Sequence, residues 1–216
     1  MAPAKRIGIL GSGDVAKNLG RGFARHGYDV RLGTRDASKL ADWTREVGAR
    51  ASVGTFAEAA AFGEIALLAT HGDATEKVLD LVGPAPFAGK IVIDATNPLD
   101  LSKGMPPTLF VGTTDSLGER VQRKLPAARV VKCFNTVGSP KMVDPNFAAG
   151  PARMLICGND AAAKQRTDEL LREIGWAGAL DVGGIDGARW LEALCPLWVR
   201  AGLALGTWNH SFQVIQ

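Results

Sequence analysis

The chain of 216 residues is 46% hydrophobic and 22% charged, which is ordinary globular usage and excludes a disordered chain, a collagen-like fibre and a long coiled coil. Its 25 Lys and Arg residues against 22 Asp and Glu residues leave a net charge of +3, too small and too scattered to indicate a nucleic-acid partner. The length predicts one large domain, or one domain with an appendage.

Short apolar segments alternate with helical patterns through most of the chain. Strands are predicted over residues 6–10, 29–32, 51–53, 65–69, 91–93, 129–134, 154–157 and 179–182. Helices are predicted over residues 15–26, 37–47, 57–61 and 161–174, the last of them capped by Asp160. Because the strands are apolar on both faces and are separated by helices, the pattern predicts an α/β fold with a doubly wound, mostly parallel sheet.

After Gly184 the pattern changes to one long helix, predicted over residues 186–208. This helix is apolar on nearly all sides and must therefore be buried. Gly202 and Gly206 would permit a close approach to its backbone. We expect a helical extension, residues 185–216, that contacts a second copy of the chain in a homodimer; a helix buried within one chain remains the alternative.

The sharpest motif follows the first strand and opens the first helix. It reads Gly11-Ser12-Gly13-Asp14-Val15-Ala16. In a dinucleotide fingerprint, Gly11 permits the tight turn, Gly13 lets the backbone approach a pyrophosphate, and Ala16 allows close packing of helix on sheet. The helix N-terminus offers free N–H groups and a partial positive charge to the phosphates. The motif predicts a dinucleotide-binding domain of the Rossmann type over residues 1–184.

The end of the second strand indicates which dinucleotide is bound. NAD sites usually place Asp or Glu there, whereas this chain has Thr34 and Arg35, with Lys39 a turn later. A guanidinium can pair with a 2′-phosphate, and a threonine can donate its hydroxyl. The residues therefore favour NADP over NAD. Asp36 weighs against this interpretation, and Arg35 and Lys39 as solvated surface charges remain the alternative.

Further segments, in this order and at this spacing, extend the similarity over nearly the whole chain. They are Leu32-Gly33-Thr34-Arg35, Asn135-Thr136-Val137-Gly138, Cys157-Gly158-Asn159-Asp160 and Asp181-Val182-Gly183-Gly184. Together with the fingerprint, they resemble the NADPH-dependent coenzyme F420 reductase family. The resemblance implies an NADP oxidoreductase acting on an 8-hydroxy-5-deazaflavin, with a Rossmann domain, a small C-terminal part and a dimeric assembly.

The resemblance also implies roles for single residues. It places Ser12, Gly13, Asp14 and Val15 along the pyrophosphate, and Thr34, Arg35 and Lys39 around the 2′-phosphate. Asn97, together with Ser139 in the loop after Asn135, is expected near the nicotinamide. Thr70 and His71 stand where the family often has an apolar residue and Pro, and Asn97 where it often has an apolar residue. These positions line the cavity over the nicotinamide, so the hydride acceptor is left open.

Hydride transfer to a flavin or deazaflavin needs no protein acid, because the acceptor ring takes the electrons. The sequence accordingly shows no Ser-His-Asp, paired-carboxylate or Lys-Tyr constellation. His71 follows a buried strand and is the single catalytic candidate, although a loop histidine touching only cofactor or solvent fits equally well. The co-substrate is expected to be coenzyme F420 or FMN/FAD, with the C-terminal extension as a wall of its pocket.

Two other functions remain open. An NADP-dependent dehydrogenase or reductase of another small molecule would use the same fingerprint, although residues 185–216 are too few for a separate substrate domain. A non-enzymatic NADPH-binding sensor would keep the fingerprint and lose the acceptor pocket. Turnover of NADPH with a deazaflavin or FMN separates these cases.

The remaining composition bears on location. Cys133, Cys157 and Cys195 are far apart and lack metal-ligand spacing, which favours reduced, mostly buried thiols and no metal site. The start lacks the apolar core of a signal peptide, and the uncharged segment 201–216 is too short and polar for a membrane helix. We expect a cytoplasmic protein with a small-molecule substrate and neither a membrane nor a nucleic acid as partner.

Overall fold

The computed structural model describes residues 5–215, within which the chain folds into strands and helices around a central sheet. The strands are β1 (Arg6–Leu10), β2 (Asp29–Gly33), β3 (Ala51–Gly54), β4 (Ile65–Leu68), β5 (Ile91–Asp94), β6 (Leu99–Asp100), β7 (Thr108–Leu109), β8 (Arg129–Lys132), β9 (Met154–Gly158) and β10 (Ala179–Asp181). The helices are α1 (Asp14–Arg25), α2 (Ala41–Val47), α3 (Phe56–Phe62), α4 (Gly72–Val82), α5 (Leu117–Lys124), α6 (Ala161–Glu173) and α7 (Ala188–Leu205).

The main sheet has the strand order β10-β9-β8-β5-β4-β1-β2-β3. Its neighbouring strands run parallel except β8 and β9, which are antiparallel. The chain winds outward from β1 in one direction to β3, then returns to β4 and winds the other way. This reversal creates a crevice at the carboxyl ends of β1 and β4, where doubly wound sheets bind their ligands. The predicted fold class is confirmed.

Both faces of the sheet are covered by helices. Ile9 and Leu67 belong to a core shared with α1 and α6, whereas Leu10 and Leu68 belong to a second core shared with α4 and α5. Successive residues of a strand point to opposite faces, so both must be apolar when both faces are buried. This burial explains why the strands read as continuous apolar segments rather than as alternating ones.

Helix caps agree with the sequence in part. Asp160 accepts a hydrogen bond from the N–H of Ala163 at 2.7 Å, so the predicted cap of α6 is confirmed. The predicted helix over residues 37–47 is divided into a 3₁₀ turn, Ala37–Leu40, and α2. The sequence patterns missed α4, α5 and the short β6–β7 hairpin.

The predicted end of the last helix at Trp208 is wrong, and so is its predicted start at residue 186. The 3₁₀ turn Ile185–Gly187 precedes α7, which ends at Leu205 because Gly206 adopts a left-handed conformation with φ of +65°. The chain then folds back, and the indole of Trp208 lies against Gly202, where a Cβ would come within 2.5 Å of the ring. Gly202 therefore serves an intrachain contact.

Burial of α7 is also one-sided. Leu191, Cys195 and Val199 are buried against the domain. On the outer side, Trp190 and Leu197 keep 65% and 52% of their surface exposed. The predicted all-round burial is thus not met within one chain. No helix in residues 5–215 is long and apolar enough to cross a membrane.

Candidate dinucleotide-binding cleft

The turn between β1 and α1 has the geometry that its glycines predict. Gly11 has φ of +146°, and a Cβ there would lie 2.3 Å from the carbonyl oxygen of Ala69 at the end of β4. Its N–H donates to the carbonyl of Gly33 at 3.0 Å, which ties the turn to β2. A side chain at this position would therefore disrupt the junction of three strands.

Gly13 has the opposite surroundings. It is the N-cap of α1, it supplies no capping side chain, and a Cβ placed on it would meet no atom within 4 Å. The first N–H groups of a helix lack intrahelical partners, so at this end of α1 they face open space. This arrangement fits a pyrophosphate, whose oxygens accept backbone hydrogen bonds and favour the positive end of the helix dipole.

A cleft of about 430 Å³ opens beside this turn at the carboxyl edge of the sheet. It is lined by Gly11, Ser12, Gly13, Thr34, Arg35, Asp36, Lys39, Phe56, Ala69, Thr70, His71, Ala74, Lys77, Val78 and Leu81. The structure thus gathers most of the predicted site residues around one cavity. The other predicted residues, which do not line it, are Asp14, Val15, Asn97, Asn135 and Ser139.

One wall of the cleft comes from the end of β2. Asp36 accepts hydrogen bonds from the N–H and hydroxyl of Ser38 at 3.0 and 2.6 Å, and these bonds hold the pKa of Asp36 below its usual value. Its Oδ2 lies 4.0 Å from the Nζ of Lys39. Arg35 forms no ion pair or side-chain hydrogen bond within residues 5–215. The capping role of Asp36 leaves Arg35 available to an anion.

Another part of the cleft lining comes from α4, which sequence analysis missed. Ala74, Lys77, Val78 and Leu81 are three and four residues apart and present one helix face to the cleft. This spacing was a signal that could have been read from the sequence. Leu81 is 70% exposed and lines the cleft, so a ligand bound there could cover its apolar surface.

His71 lies at the N-cap of α4 and lines the cleft, as its place after β4 predicts. Its carbonyl accepts from the N–H of Ala74 at 3.0 Å and from the hydroxyl of Thr75 at 3.0 Å. Its ring forms no hydrogen bond with any other residue of the described chain. The tentative catalytic assignment of His71 stays a prediction.

The three residues expected near the nicotinamide, Asn97, Asn135 and Ser139, do not line the cleft, and we call them the row beside it. Asn97 Nδ2 donates to the carbonyl of Asn135 at 2.8 Å, and Asn135 Nδ2 donates back to Asn97 Oδ1 at 3.0 Å. A Cβ on Gly72, at the start of α4, would lie 2.0 Å from the carbonyl oxygen of Asn97. Ser139 Oγ accepts from Asn18 of α1 at 2.9 Å. The row therefore joins α4, β5, β8 and α1.

A fully buried ion cluster lies behind this row, and nothing in the sequence patterns indicated it. Lys132 Nζ lies 3.0 Å from Asp94 Oδ2 and 2.7 Å from Glu192 Oε1, and the three side chains are at most 2% exposed. Burial lowers the pKa of Lys132, but the two carboxylates raise it by more, so the pKa stands above its ordinary value. The ammonium is therefore charged at any physiological pH.

The ion cluster joins the segments that carry the two asparagines. Asp94 accepts from the N–H and hydroxyl of Thr96 at 2.9 and 2.6 Å, next to Asn97. Glu192 accepts from the N–H groups at the start of α5 at 2.9 Å. The neighbouring carbonyl of Leu191 accepts from Asn135 Nδ2 at 2.8 Å.

The cysteines take no part in either feature. Cys133, Cys157 and Cys195 are buried and free, as predicted. Burial raises the pKa of Cys157 to about 12 and that of Cys195 to about 11, so both remain thiols. Within residues 5–215, no group of His, Cys, Asp and Glu side chains is arranged to hold a metal ion.

A doubly wound sheet whose first turn opens onto a cation-walled cleft defines a dinucleotide-binding protein of the Rossmann class. A family profile described as "NADP oxidoreductase coenzyme F420-dependent" matches residues 6–98. The F420-dependent NADP reductase of Methanothermobacter marburgensis is 30% identical over 211 residues, which cover 92% of each chain. The chain therefore belongs to the family of coenzyme F420-dependent NADP oxidoreductases, as the resemblance predicted.

Two further proteins are similar to this chain. A crystal structure from Arthrobacter sp. FB24, provisionally described as an F420-dependent NADP reductase, is 40% identical with a TM-score of 0.93, covering 99% of this chain and 100% of that one. Metalloreductase STEAP3 of Rattus norvegicus is 31% identical over 208 residues, which are 94% of this chain and 40% of that protein. The chain thus spans less than half the length of this relative.

Proposed function

We propose that the protein transfers a hydride between NADPH and a deazaflavin of the coenzyme F420 type, with FMN or FAD as the alternative acceptor. The observation that carries the proposal is similarity to an F420-dependent NADP reductase over 92% of both chains. The cleft supports it, because its lining offers binding groups and no paired acid and base. Transfer to such a ring asks the protein for orientation and exclusion of water.

The cleft residues divide the binding work. The open N-terminus of α1 at Gly13 would hold the pyrophosphate, and Arg35 with Lys39 would hold the 2′-phosphate. When bound, NADPH supplies the hydride. Thr34 is 8% exposed, and its hydroxyl hydrogen-bonds to the main chain of Asp36, so it shapes this end of the cleft.

The row beside the cleft would orient the reacting end. Asn97 and Asn135 are locked together by reciprocal hydrogen bonds, and Asn97 is partly exposed, so its amide can hydrogen-bond a carboxamide in a fixed direction. Thr70 and His71 would lie over the ring and influence which acceptor fits. In this arrangement His71 would donate a hydrogen bond to the acceptor rather than act as an essential acid.

The acceptor can be tested directly. Purified protein is mixed with NADPH and either coenzyme F420 or FMN, and the nicotinamide absorbance is followed. We expect turnover with F420 and a Gly13→Val variant without activity. Tight NADPH binding without turnover of F420, FMN or FAD would contradict the proposed reaction and favour another substrate or a sensor.

The cofactor assignment is tested by Arg35→Ala. We expect the variant to bind NADPH more weakly by about 1.5–3 kcal/mol, at least a tenfold loss, with little change for NADH. Isothermal titration with both dinucleotides measures this difference. Equal losses for the two would remove the assignment of Arg35 to the 2′-phosphate.

We also propose a homodimer in the cytoplasm. The exposed apolar side of α7, with Trp190, Leu197 and Leu205, supports a contact with a second copy. The free, buried cysteines support a reducing compartment. We expect Leu197→Glu to convert a dimer into a monomer in analytical ultracentrifugation; a wild-type monomer would contradict the assembly.

A further inference from the structure

The cleft carries a cation that neither the fingerprint nor the family resemblance assigns. Lys77 lies on α4 and lines the same cavity as Arg35 and Lys39. We infer that Lys77 is a further specificity-determining residue, which binds the 2′-phosphate of the dinucleotide together with Arg35. The inference rests on the proposed binding of NADP in this cleft.

The pairing of α4 distinguishes Lys77 from an ordinary surface lysine. Two of the three acidic residues of α4 are paired with α5, because Glu76 lies 3.4 Å from Arg120 and Asp80 lies 2.6 Å from Lys124. Lys77 points to the other side, and within the described chain it has no ion-pair partner within 4.0 Å. Its charge therefore remains free for a ligand.

The charge of the cleft favours an anion at this position. Arg35, Lys39 and Lys77 line it against the single carboxylate of Asp36, which is engaged by Ser38. Cations that line one cleft repel each other in the free protein, and a bound phosphomonoester of charge near −2 would offset that repulsion.

The apolar neighbours of Lys77 offer a surface on which the adenosine could bind next to this lysine. Val78 follows it directly, and Leu81 lies one helical turn further on, exposed to the cleft. An adenine base covering Leu81 would remove apolar surface from water and bring its ribose to the level of Lys77. A long, flexible lysine can then reach the 2′-phosphate, while a pyrophosphate would lie at the α1 turn.

The test uses two ligands that contain only the adenosine end, adenosine 2′,5′-bisphosphate and 5′-AMP, titrated by calorimetry. We expect the wild type to bind the bisphosphate more tightly than 5′-AMP. Lys77→Met should weaken binding of the bisphosphate about fivefold to tenfold, because the strength of an exposed charge-assisted hydrogen bond lies between that of an exposed ion pair and that of a buried one. The affinity for 5′-AMP should change by less than about twofold.

Two control variants separate a specific contact from a change in net charge or fold. Lys77→Arg keeps the charge and should retain the preference. Lys103→Met removes one charge outside the cleft lining and should leave both affinities unchanged. Circular dichroism of Lys77→Met should match the wild type, because this side chain is exposed.

The outcomes separate this inference from the function on which it rests. If Arg35→Ala loses the preference for the bisphosphate and Lys77→Met keeps it, the role of Lys77 is overturned and NADP binding stands. Equal weakening of both ligands by Lys77→Met would assign Lys77 to another phosphate and overturn the inference as well. A wild type without any preference would overturn the cofactor assignment together with it.

Discussion

Replacing Lys132 by Met removes the cation from a cluster that contains two buried carboxylates. The side chains of Lys132 and Asp94 are 0% exposed and that of Glu192 is 2% exposed, so water cannot replace the lost partner. Methionine fills much of the same volume, so the change isolates charge rather than packing. We expect the protein to fold, with a large loss of stability.

The size of that loss follows from what each carboxylate retains. Breaking a buried pair by removing one partner typically costs about 3–5 kcal/mol. Asp94 keeps two hydrogen bonds from Thr96, and Glu192 keeps two from the N-terminus of α5. These bonds place the expected loss near the lower limit, at about 3 kcal/mol, or roughly 6–12 °C in melting temperature for a chain of this size.

Urea and thermal unfolding at pH 7 measure the loss, with Lys124→Met as the matched control. Lys124 lies 2.6 Å from Asp80 in an exposed pair, so the same substitution should cost less than about 1 kcal/mol there. Adding Glu192→Gln to Lys132→Met should recover stability, since one buried charge is then gone. A Lys132→Met loss no larger than that of Lys124→Met would refute the reasoning.

Two other predictions concern the turn and the acid limit. Gly13→Val should fold normally, because its side chain enters open space, and should lose binding of both NADPH and NADH, because that side chain occupies the place of the pyrophosphate. Gly11→Val should destabilise the protein, because its Cβ would lie 2.3 Å from a carbonyl oxygen. Unfolding curves and calorimetry on both variants test this, and a stable Gly11→Val would contradict it. Although desolvation raises the pKa of Glu173, hydrogen bonds from Lys5, Tyr28 and Arg166 lower it to about 2. The stabilisation is therefore complete above the unfolded pKa and is lost as pH falls through the folded value of about 2. We expect Glu173→Gln to cost about 1–2 kcal/mol at pH 7, after allowance for its partial exposure, and only about 0.4 kcal/mol at pH 2, measured by urea unfolding. A pH-independent cost would exclude this origin.

The parts of the fold that could be predicted are those determined by local burial. Strands covered on both faces are continuous apolar segments, and β1 followed by Gly11 and Gly13 contains a complete signal for the first turn. The missed α5 buries little apolar surface, so its apolar residues show no clear helical periodicity. Its start is instead marked by the N-cap Ser116, whose side chain accepts a hydrogen bond from the N–H of Glu119. The α7 end was mistaken because helical spacing continues past Gly206, whose left-handed conformation ends the helix.

The candidate site shows the same limit on a larger scale. Arg35 and Lys39 lie next to the strand that positions them, so their place could be read from sequence. Asn97 and Asn135 are separated by 38 residues, and their mutual hydrogen bonds depend on the pairing of β5 with β8. Lys132 and Glu192 are still further apart, and a lysine inside an apolar strand gives no indication of which carboxylates will neutralise it.

These two ends of the site therefore have different physical origins, and this difference bears on specificity. The proposed adenosine end is an open cleft lined by Arg35 and Lys77, which have no ion-pair partner among the described residues, and it can respond to a single substitution such as Arg35→Ala. The proposed reacting end contains the Asn97–Asn135 pair, and hydrogen bonds connect the segments that carry this pair to the ion cluster around Lys132. Substitutions at the adenosine end should alter which dinucleotide binds and leave the preferred acceptor unchanged. Substitutions of Thr70 and His71, which line the cleft and which we propose to lie over the ring, should instead change the acceptor.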